Sequence, residues 1–303
     1  MSNFLIILFC LFAGYSLKKA KIVKEDGFKA INTWVIYVGL PATSFLYLPE
    51  LYWDKDILIA LLAPWFIFLG SVIFIKILEK KLHLSKRTSH TLILISGLSN
   101  TSFVGFPLVA SYFGGEMIKW AIICDQMTFF ILSTLGVVLA LQGQGGKNTK
   151  IPVSYMLKRV LTFPPLIGCI LALLLPKFID MDGLKPFFGQ LSSTVSPLAL
   201  FSIGMQLSLT FSKSEAFTMG ISLLYKLILA PLLLIGALYF LRFQGEIVRI
   251  AAFEMAMPSL VATSMILQEF KLNTKLGNSI IGFSIVIGLV TTWLAYQCIH
   301  FLL

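Results

Sequence analysis

The sequence predicts an all-α polytopic membrane protein with ten transmembrane helices, arranged as two inverted five-helix repeats. Three observations predict it: the composition, the spacing of the apolar segments and the placement of the basic residues. Of the 303 residues, 57% are hydrophobic and 13% are charged, and the mean hydropathy is +0.89. Soluble domains carry about 45 to 50% apolar and about 25% charged residues. The composition therefore excludes an ordinary soluble domain and indicates a lipid bilayer as the surroundings.

Ten apolar segments approach the length of roughly 20 residues that a bilayer-spanning helix needs. Charged or turn-rich breaks separate them, and we place them at 3–17, 28–48, 57–76, 88–113, 117–140, 155–176, 185–209, 216–241, 247–269 and 276–302. The first segment has no basic residue before it, and lysines follow where a signal peptide needs a small-residue cleavage site. We therefore expect it to be a retained helix that starts outside the cytoplasm.

The basic residues indicate the orientation. With ten spans, seventeen of the 24 Lys and Arg residues lie on one side of the membrane, six lie on the other, and Lys226 lies within a span. Cytoplasmic loops carry the excess of Lys and Arg. We therefore expect both termini outside the cytoplasm and the protein in the plasma membrane (the bacterial inner membrane). The net charge of +10 then reflects topology, and no nucleic-acid partner is expected.

A polar, glycine-rich segment at 142–150 divides the spans into two sets of five. The first repeat is then 1–141, the segment is a cytoplasmic linker, and the second repeat is 151–303. Because five is odd, the two halves enter the membrane from opposite sides, which is the inverted-repeat plan of many transporters. Direct sequence similarity between the halves is faint, so the repeat prediction depends on the topology.

The fourth and ninth spans contain helix breakers near their centres. The fourth has Gly97, Asn100, Gly105 and Pro107, and the ninth has Pro258 within FEMAMPSLVATSMILQEF. Proline lacks the backbone donor and clashes with the carbonyl one turn back, so each span should be interrupted. Interrupted helices offer amide donors to an anion at their N-termini and carbonyl groups to a cation at their C-termini. A simple proline kink is the alternative, which the corresponding positions in both halves disfavour.

Three ionisable residues lie at membrane depth: Asp125 in the fifth span, Lys226 in the eighth and Glu254 in the ninth. Such residues are costly in lipid and by default mark an ion or substrate path. The alternatives are a structural Asp125–Lys226 pair, a Glu254 shallow enough to reach water, and a Lys226 that extends its side chain to the interface.

Enzymatic chemistry lacks its usual residues. The sequence has no Walker loop, no GxSxG and no HExxH motif, and its four cysteines lie singly in apolar stretches without a CxxC pair. We therefore expect no enzyme, no metal site and no cofactor.

Several motifs together resemble the auxin efflux carrier family in its bacterial form. The second span contains INTWVIYVGLPATSF, and the fourth contains the Asn-x-x-x-x-Gly-x-Pro pattern at Asn100, Gly105 and Pro107. Asp125 follows in the fifth span, SPLALFSIGMQLSL in the seventh, and MPSLVAT in the ninth. The order and spacing of these elements cover nearly the whole chain.

The resemblance implies that the fourth and ninth helices cross at their breaks. It also implies a scaffold domain of helices 1, 2, 6 and 7, a transport domain of helices 3, 4, 5, 8, 9 and 10, and elevator-type alternating access. The expected substrate is a small organic anion, a mono- or dicarboxylate such as malate or malonate. Auxin itself is not expected, because the chain has no long cytoplasmic loop like that of the plant members.

The expected roles fall on two sets of residues. The substrate-binding residues are Asn100, Thr101, Ser102, Gly105, Pro107, Met257, Pro258 and Ser259, and the ion-coupling residues are Asp125, Glu254 and Lys226. A proton or a sodium ion would be the coupling ion, and a homodimer is compatible with this hypothesis. The alternative functions are a cation/proton antiporter of related crossed-helix fold and a channel or non-transporting receptor module.

Overall fold

The computed structural model describes residues 2–144, 152–209 and 213–303. Within these ranges the chain forms helices joined by turns, together with one isolated antiparallel β-bridge. The predicted linker at 142–150 lies outside the described residues from position 145 onward. The prediction of an all-helical protein is confirmed for the described residues.

The helices are numbered in chain order. They are α1 (Ser2–Lys19), α2 (Phe28–Glu50), α3 (Ile57–Lys81), α4 (Lys86–Gly97), α5 (Phe106–Tyr112), α6 (Gly115–Gln144), α7 (Val153–Leu161), α8 (Pro164–Lys177), α9 (Lys185–Ser193), α10 (Val195–Gln206), α11 (Ala216–Phe240), α12 (Glu246–Met255), α13 (Thr263–Glu269) and α14 (Thr274–Leu302). The π-helical and 3-10 turns inside α2, α6, α8 and α11 are counted as part of those helices.

Five of these helices, α2, α3, α6, α11 and α14, are long and apolar enough to cross a membrane. The pair α7 and α8, bent by 58° at its break, would be a sixth span. Length and composition thus identify fewer spans than the ten predicted. The main reason is that the predicted fourth, seventh and ninth spans are divided into shorter pieces, α4 with α5, α9 with α10, and α12 with α13.

Three prolines of the described helices follow widened π turns, whereas Pro64 lies inside α3 without one. A proline ring clashes with the carbonyl four residues back, and a wider turn moves that carbonyl away. Three π turns in the described residues each end two residues before a proline: Val35–Gly39 before Pro41, Thr101–Gly105 before Pro107, and Tyr225–Leu229 before Pro231. Proline therefore does not interrupt α2 or α11.

One group of helices consists of α1, α2, α8, α9 and α10. Helix α1 lies directly on the backbone of α10, because a Cβ atom at Gly14 would overlap the carbonyl of Phe201 and one at Gly204 would overlap the carbonyl of Leu11. Buried or half-buried hydroxyl groups connect α2 to its neighbours: Thr43 bonds Ser192 of α9 at 2.9 Å, and Ser44 contacts Cys169 of α8 at 3.2 Å.

A second group consists of α3, α4, α6, α11, α12 and α14. The Tyr225 hydroxyl of α11 donates to the Ile67 carbonyl of α3 at 2.9 Å. The hydroxyl groups of Ser96 in α4 and Ser222 in α11 lie 2.7 Å apart, fully buried. Such polar contacts between apolar helices fix their relative positions. The interrupted helices α4 and α12 both belong to this group.

The close packing of α1 on α10 predicts that Gly204→Leu destabilises the folded protein. The added side chain meets the α1 backbone, and overpacking of this kind costs about 1 to 3 kcal/mol. Thermal unfolding of the purified protein in detergent should show a lower melting temperature. Gly220→Leu is the matched control, because nothing lies within 4 Å of a Cβ atom at that position. Equal melting temperatures for the two variants would contradict this packing.

Candidate functional site

The candidate site lies where two helices stop inside the protein. Helix α4 ends at Gly97 and α12 ends at Met255, and an extended segment follows each of them. Gly97 allows the end of α4 to approach α3 closely, since a Cβ atom at this position would overlap the Ser71 hydroxyl and lie 2.9 Å from the Phe68 ring. The predicted interruption of both segments is confirmed.

The two extended segments cross and pair as a short antiparallel bridge. The Asn100 N–H donates to the Pro258 carbonyl at 2.8 Å, and the Leu260 N–H donates to the Leu98 carbonyl at 3.0 Å. Ser99 lies opposite Ser259 between these two bonds. Backbone groups freed by a helix break are costly inside a membrane unless they find partners. Here the backbone groups freed at one break form hydrogen bonds with those freed at the other.

The two prolines have different positions relative to the breaks. Pro258 lies within the extended segment and contributes its carbonyl to the crossing, as expected of a helix breaker. Pro107 lies beyond the break, in the first turn of α5, after the π turn Thr101–Gly105. The prediction that Pro107 interrupts its helix is therefore wrong: the π turn accommodates the proline, and the break falls at residues 98–100.

Polar side chains at the crossing are buried, and two of them have no partner. The Asn100 amide nitrogen and the Ser259 hydroxyl form no hydrogen bond with any described residue, although both residues are at most 1% exposed. Thr101, Ser102 and Met257 are also buried. Buried polar atoms usually have a partner. Unpartnered donors at this place are thus candidates for contacts with a ligand.

Asp125 is bound to the π turn that follows the crossing. The Thr101 hydroxyl donates to its Oδ1 at 2.7 Å, and the Gln126 amide nitrogen approaches its Oδ2 at 3.4 Å. Among the described residues, Asp125 and Lys226 form no ion pair, so the alternative of a structural Asp125–Lys226 pair is not supported. Asp125 instead positions the segment that contains Thr101.

Lys226 points into the protein from the π turn of α11. Its amino group donates to the Ser99 hydroxyl and to the Met255 carbonyl, the latter at 3.3 Å, and its side chain is fully buried. The Met255 carbonyl is at the C-terminal end of α12, where the helix dipole favours a positive charge. The alternative of a lysine that extends to the membrane interface is therefore excluded.

Glu254 is the third buried ionisable residue, and neither of its carboxyl oxygens has a hydrogen-bond partner among the described residues. Its exposure is 0%, so the alternative of a shallow, water-exposed carboxylate is wrong. The carboxyl group lies against Gly105, because a Cβ atom at Gly105 would overlap both oxygens. Glu254 therefore contacts the same π turn as Asp125, at Gly105 rather than at Thr101.

Two cavities within the described part of the chain lie near the residues of the candidate site. One of about 670 Å³ lies between α1, α5, α9 and α10, and Pro107, Ser111, Ser193 and Ser196 contribute to its wall. A second of about 300 Å³ is lined by apolar residues of α2, α3, α6 and α8, with Gln126 as its polar member. Of the predicted site residues, Pro107 alone lines either cavity.

Sequence reasoning missed two residues of the site. Ser99 pairs with Ser259 and binds Lys226, and its position beside Asn100 was the signal that could have identified it. Ser284 of α14 accepts the Ser259 N–H at 3.1 Å. It is one of two serines in an apolar helix, and nothing in the sequence distinguishes it.

The chain is similar to known membrane transporters over nearly its whole length. The family described as membrane transport protein matches residues 1–296. An uncharacterized transporter of Methanocaldococcus jannaschii is 32% identical over 286 residues, which are 91% of each chain. An uncharacterized transporter of Methanothermobacter thermautotrophicus is 26% identical over 295 residues, covering 95% of this chain and 94% of the relative.

The contact between Gly105 and Glu254 predicts that Gly105→Ala destabilises the protein by about 1 to 3 kcal/mol, the usual cost of overpacking. Combining it with Glu254→Ala should cost less than the sum of the single changes, because the second change removes the atoms that the methyl group meets. Melting temperatures of the wild type, both single variants and the double variant measure this coupling. Gly220→Ala is the control, and additive effects would contradict the contact.

Proposed function

This chain belongs to the auxin efflux carrier family of membrane transport proteins, and we propose that it is a secondary carrier of a small organic anion. The substrate class is a mono- or dicarboxylate such as malate or malonate. The carrier works by elevator-type alternating access. The family assignment supports a transporter rather than an enzyme.

The observation that carries this proposal is the pair of unpartnered polar groups at the crossing. The Asn100 amide nitrogen and the Ser259 hydroxyl are hydrogen-bond donors that a carboxylate can accept from. The helical segment that starts at Thr101 adds backbone amides whose N–H groups favour an anion. The ammonium group of Lys226, held one residue away on Ser99, makes the surroundings more positive. Thr101, Ser102, Gly105, Pro107, Met257 and Pro258 complete the proposed site.

The proposed architecture has ten transmembrane helices in two inverted repeats, 1–141 and 151–303. The scaffold then contains α1, α2 and α7 to α10, and the transport domain contains the remaining helices. The two packing groups described above support this division, because the hydrogen bonds of α2 go to α8 and α9 whereas those of α11 go to α3 and α4. The cavity beside Pro107 lies between α1 and α5, at the proposed boundary. Movement of the transport domain relative to the scaffold at this boundary would expose the crossing to one side of the membrane and then to the other.

Coupling to an ion is assigned to Asp125, Glu254 and Lys226, with a proton or a sodium ion as the coupling ion. All three are buried beside the crossing, where a change in charge alters the electrostatic energy of a bound anion. We place both termini outside the cytoplasm in the plasma membrane, and a homodimer is compatible with this arrangement.

A cation/proton antiporter is the second candidate function. The two buried carboxyl groups, Asp125 and Glu254, favour it, since carboxylates are the usual ligands of an exchanged cation. Lys226 disfavours it, because its ammonium group already occupies the C-terminal end of α12. Labelled malate uptake and pH-dependent sodium efflux, measured on the same vesicles, separate the two candidates.

Asn100→Ala should reduce anion transport to the level of empty liposomes, because the variant lacks the unpartnered amide that we assign to substrate binding. Uptake of radiolabelled malate and malonate into proteoliposomes measures the change. Asn278→Ala is the matched control, since Asn278 bonds Ser264 in the second half of the chain and lies outside the proposed site. The Asn100→Ala variant should remain folded, as judged by gel filtration and thermal unfolding. Wild-type flux with Asn100→Ala would count against this binding site.

A further inference from the structure

We propose that Glu254 is the group that carries the coupling proton and that Lys226 takes the place of a coupling cation, so that transport is driven by protons and does not require sodium. The inference depends on the proposed carrier function. It selects the proton rather than sodium as the coupling ion, and Glu254 rather than Asp125 as the residue that carries it.

The surroundings of the two carboxyl groups differ in a way that decides which one is neutral. Asp125 accepts a hydrogen bond from Thr101 at 2.7 Å, and hydrogen bonds of this kind stabilise an ionised carboxylate. Glu254 has no donor among the described residues at either oxygen and is 0% exposed. An ionised carboxylate buried without donors is strongly unfavourable, whereas the neutral acid is tolerated. In this conformation Glu254 therefore holds a proton, whereas the hydrogen bond to Asp125 favours its ionised form.

The charged groups around Glu254 are few. From α6 come Asp125, which opposes a negative charge on Glu254, and Cys124. From α11 comes Lys226, which favours a negative charge, but its amino group is engaged by Ser99 and Met255 and forms no ion pair with Glu254 among the described residues. Helix α3 carries no ionisable residue before Lys76. The remaining titratable side chains nearby, Tyr112 and Tyr296, pack on the ring of Phe253.

The same contacts take up oxygen atoms that a sodium ion would need. A hard cation needs several oxygen ligands at once. At the crossing, the Ser99 hydroxyl and the Met255 carbonyl are taken by the ammonium group of Lys226. At Glu254, the carboxyl group lies directly against Gly105, which has no side chain to offer as a ligand. A fixed cation thus occupies the end of the half-helix where an exchangeable one would bind.

The position of Glu254 explains why binding of the proton and binding of the anion are coupled. The carboxyl group contacts Gly105, in the π turn between Asn100 and Pro107 that we assign to the substrate anion. Two negative charges this close in a buried site repel each other strongly. The anion therefore binds well only when Glu254 is protonated. Glu254 takes a proton from the side that supplies the anion and releases it on the other side.

Infrared spectroscopy tests the protonation state without a substrate. Spectra of the purified protein in lipid at pH 7 should contain the carbonyl stretch of a neutral carboxyl group, and this band should be missing from Glu254→Gln. Asp125→Asn and Glu246→Gln should retain it; Glu246 is the exposed control on the same helix. Gel filtration and thermal unfolding verify that each variant is folded. A band that survives in Glu254→Gln, or that is lost in Asp125→Asn, overturns the inference.

Transport in proteoliposomes tests the coupling, with labelled malonate as the probe. For one proton per anion, a difference of one pH unit should drive up to about tenfold accumulation in the wild type and in Glu246→Gln. Glu254→Gln should not accumulate malonate in response to the gradient, and replacement of sodium by choline should change nothing. Saturable malonate flux that ignores the proton gradient, or that needs sodium, overturns this inference and leaves the carrier function intact. If wild-type vesicles transport no carboxylate, the proposed carrier function is wrong. The infrared spectra still show in that case whether Glu254 is protonated.

Discussion

The crossing depends on two backbone hydrogen bonds, from Asn100 to Pro258 and from Leu260 to Leu98. A helix that stops inside a membrane leaves amide and carbonyl groups that lipid cannot satisfy. Two helices that stop at the same depth can satisfy part of each other's deficit, and the antiparallel bridge at Ser99 and Ser259 does so. This constraint explains why the breaks occur as a pair. It also fixes Asn100 and Ser259 close together.

The charged residues around the crossing follow from the same geometry. The C-terminal end of α12 presents the Met255 carbonyl, and the ammonium group of Lys226 binds it. The π turn after Asn100 accepts contacts from both carboxyl groups: Thr101 donates to Asp125, and Gly105 lies against Glu254. Lys226 and Gly105 both lie in π turns, which are often found at functional sites. A movement of the Thr101–Gly105 turn would therefore change the contacts of both carboxyl groups, those of Asp125 and of Glu254.

Much of this arrangement could be predicted from the sequence, because hydropathy and helix breakers act locally. The interruptions near Asn100 and Pro258, and the buried positions of Asp125, Lys226 and Glu254, follow from residue types within apolar segments. The role of Pro107 could not be predicted, since whether a proline breaks a helix or only widens a turn depends on the residues packed around it. The partners of Lys226 and the contact between Glu254 and Gly105 join segments distant in the chain, and no local pattern specifies them.

The pairing of the two interrupted helices is tested most directly by a disulfide across the bridge. Ser99 and Ser259 face each other as a non-hydrogen-bonded antiparallel pair, for which the Cα atoms are about 4.5 Å apart, within the range for a disulfide. In a background without the four native cysteines, Ser99→Cys with Ser259→Cys should crosslink on mild oxidation, as detected by mass spectrometry of linked peptides. The control pair, Ser99→Cys with Ser264→Cys, should not. Free thiols at both positions in the first pair, in folded protein, would contradict the crossing and the site built on it.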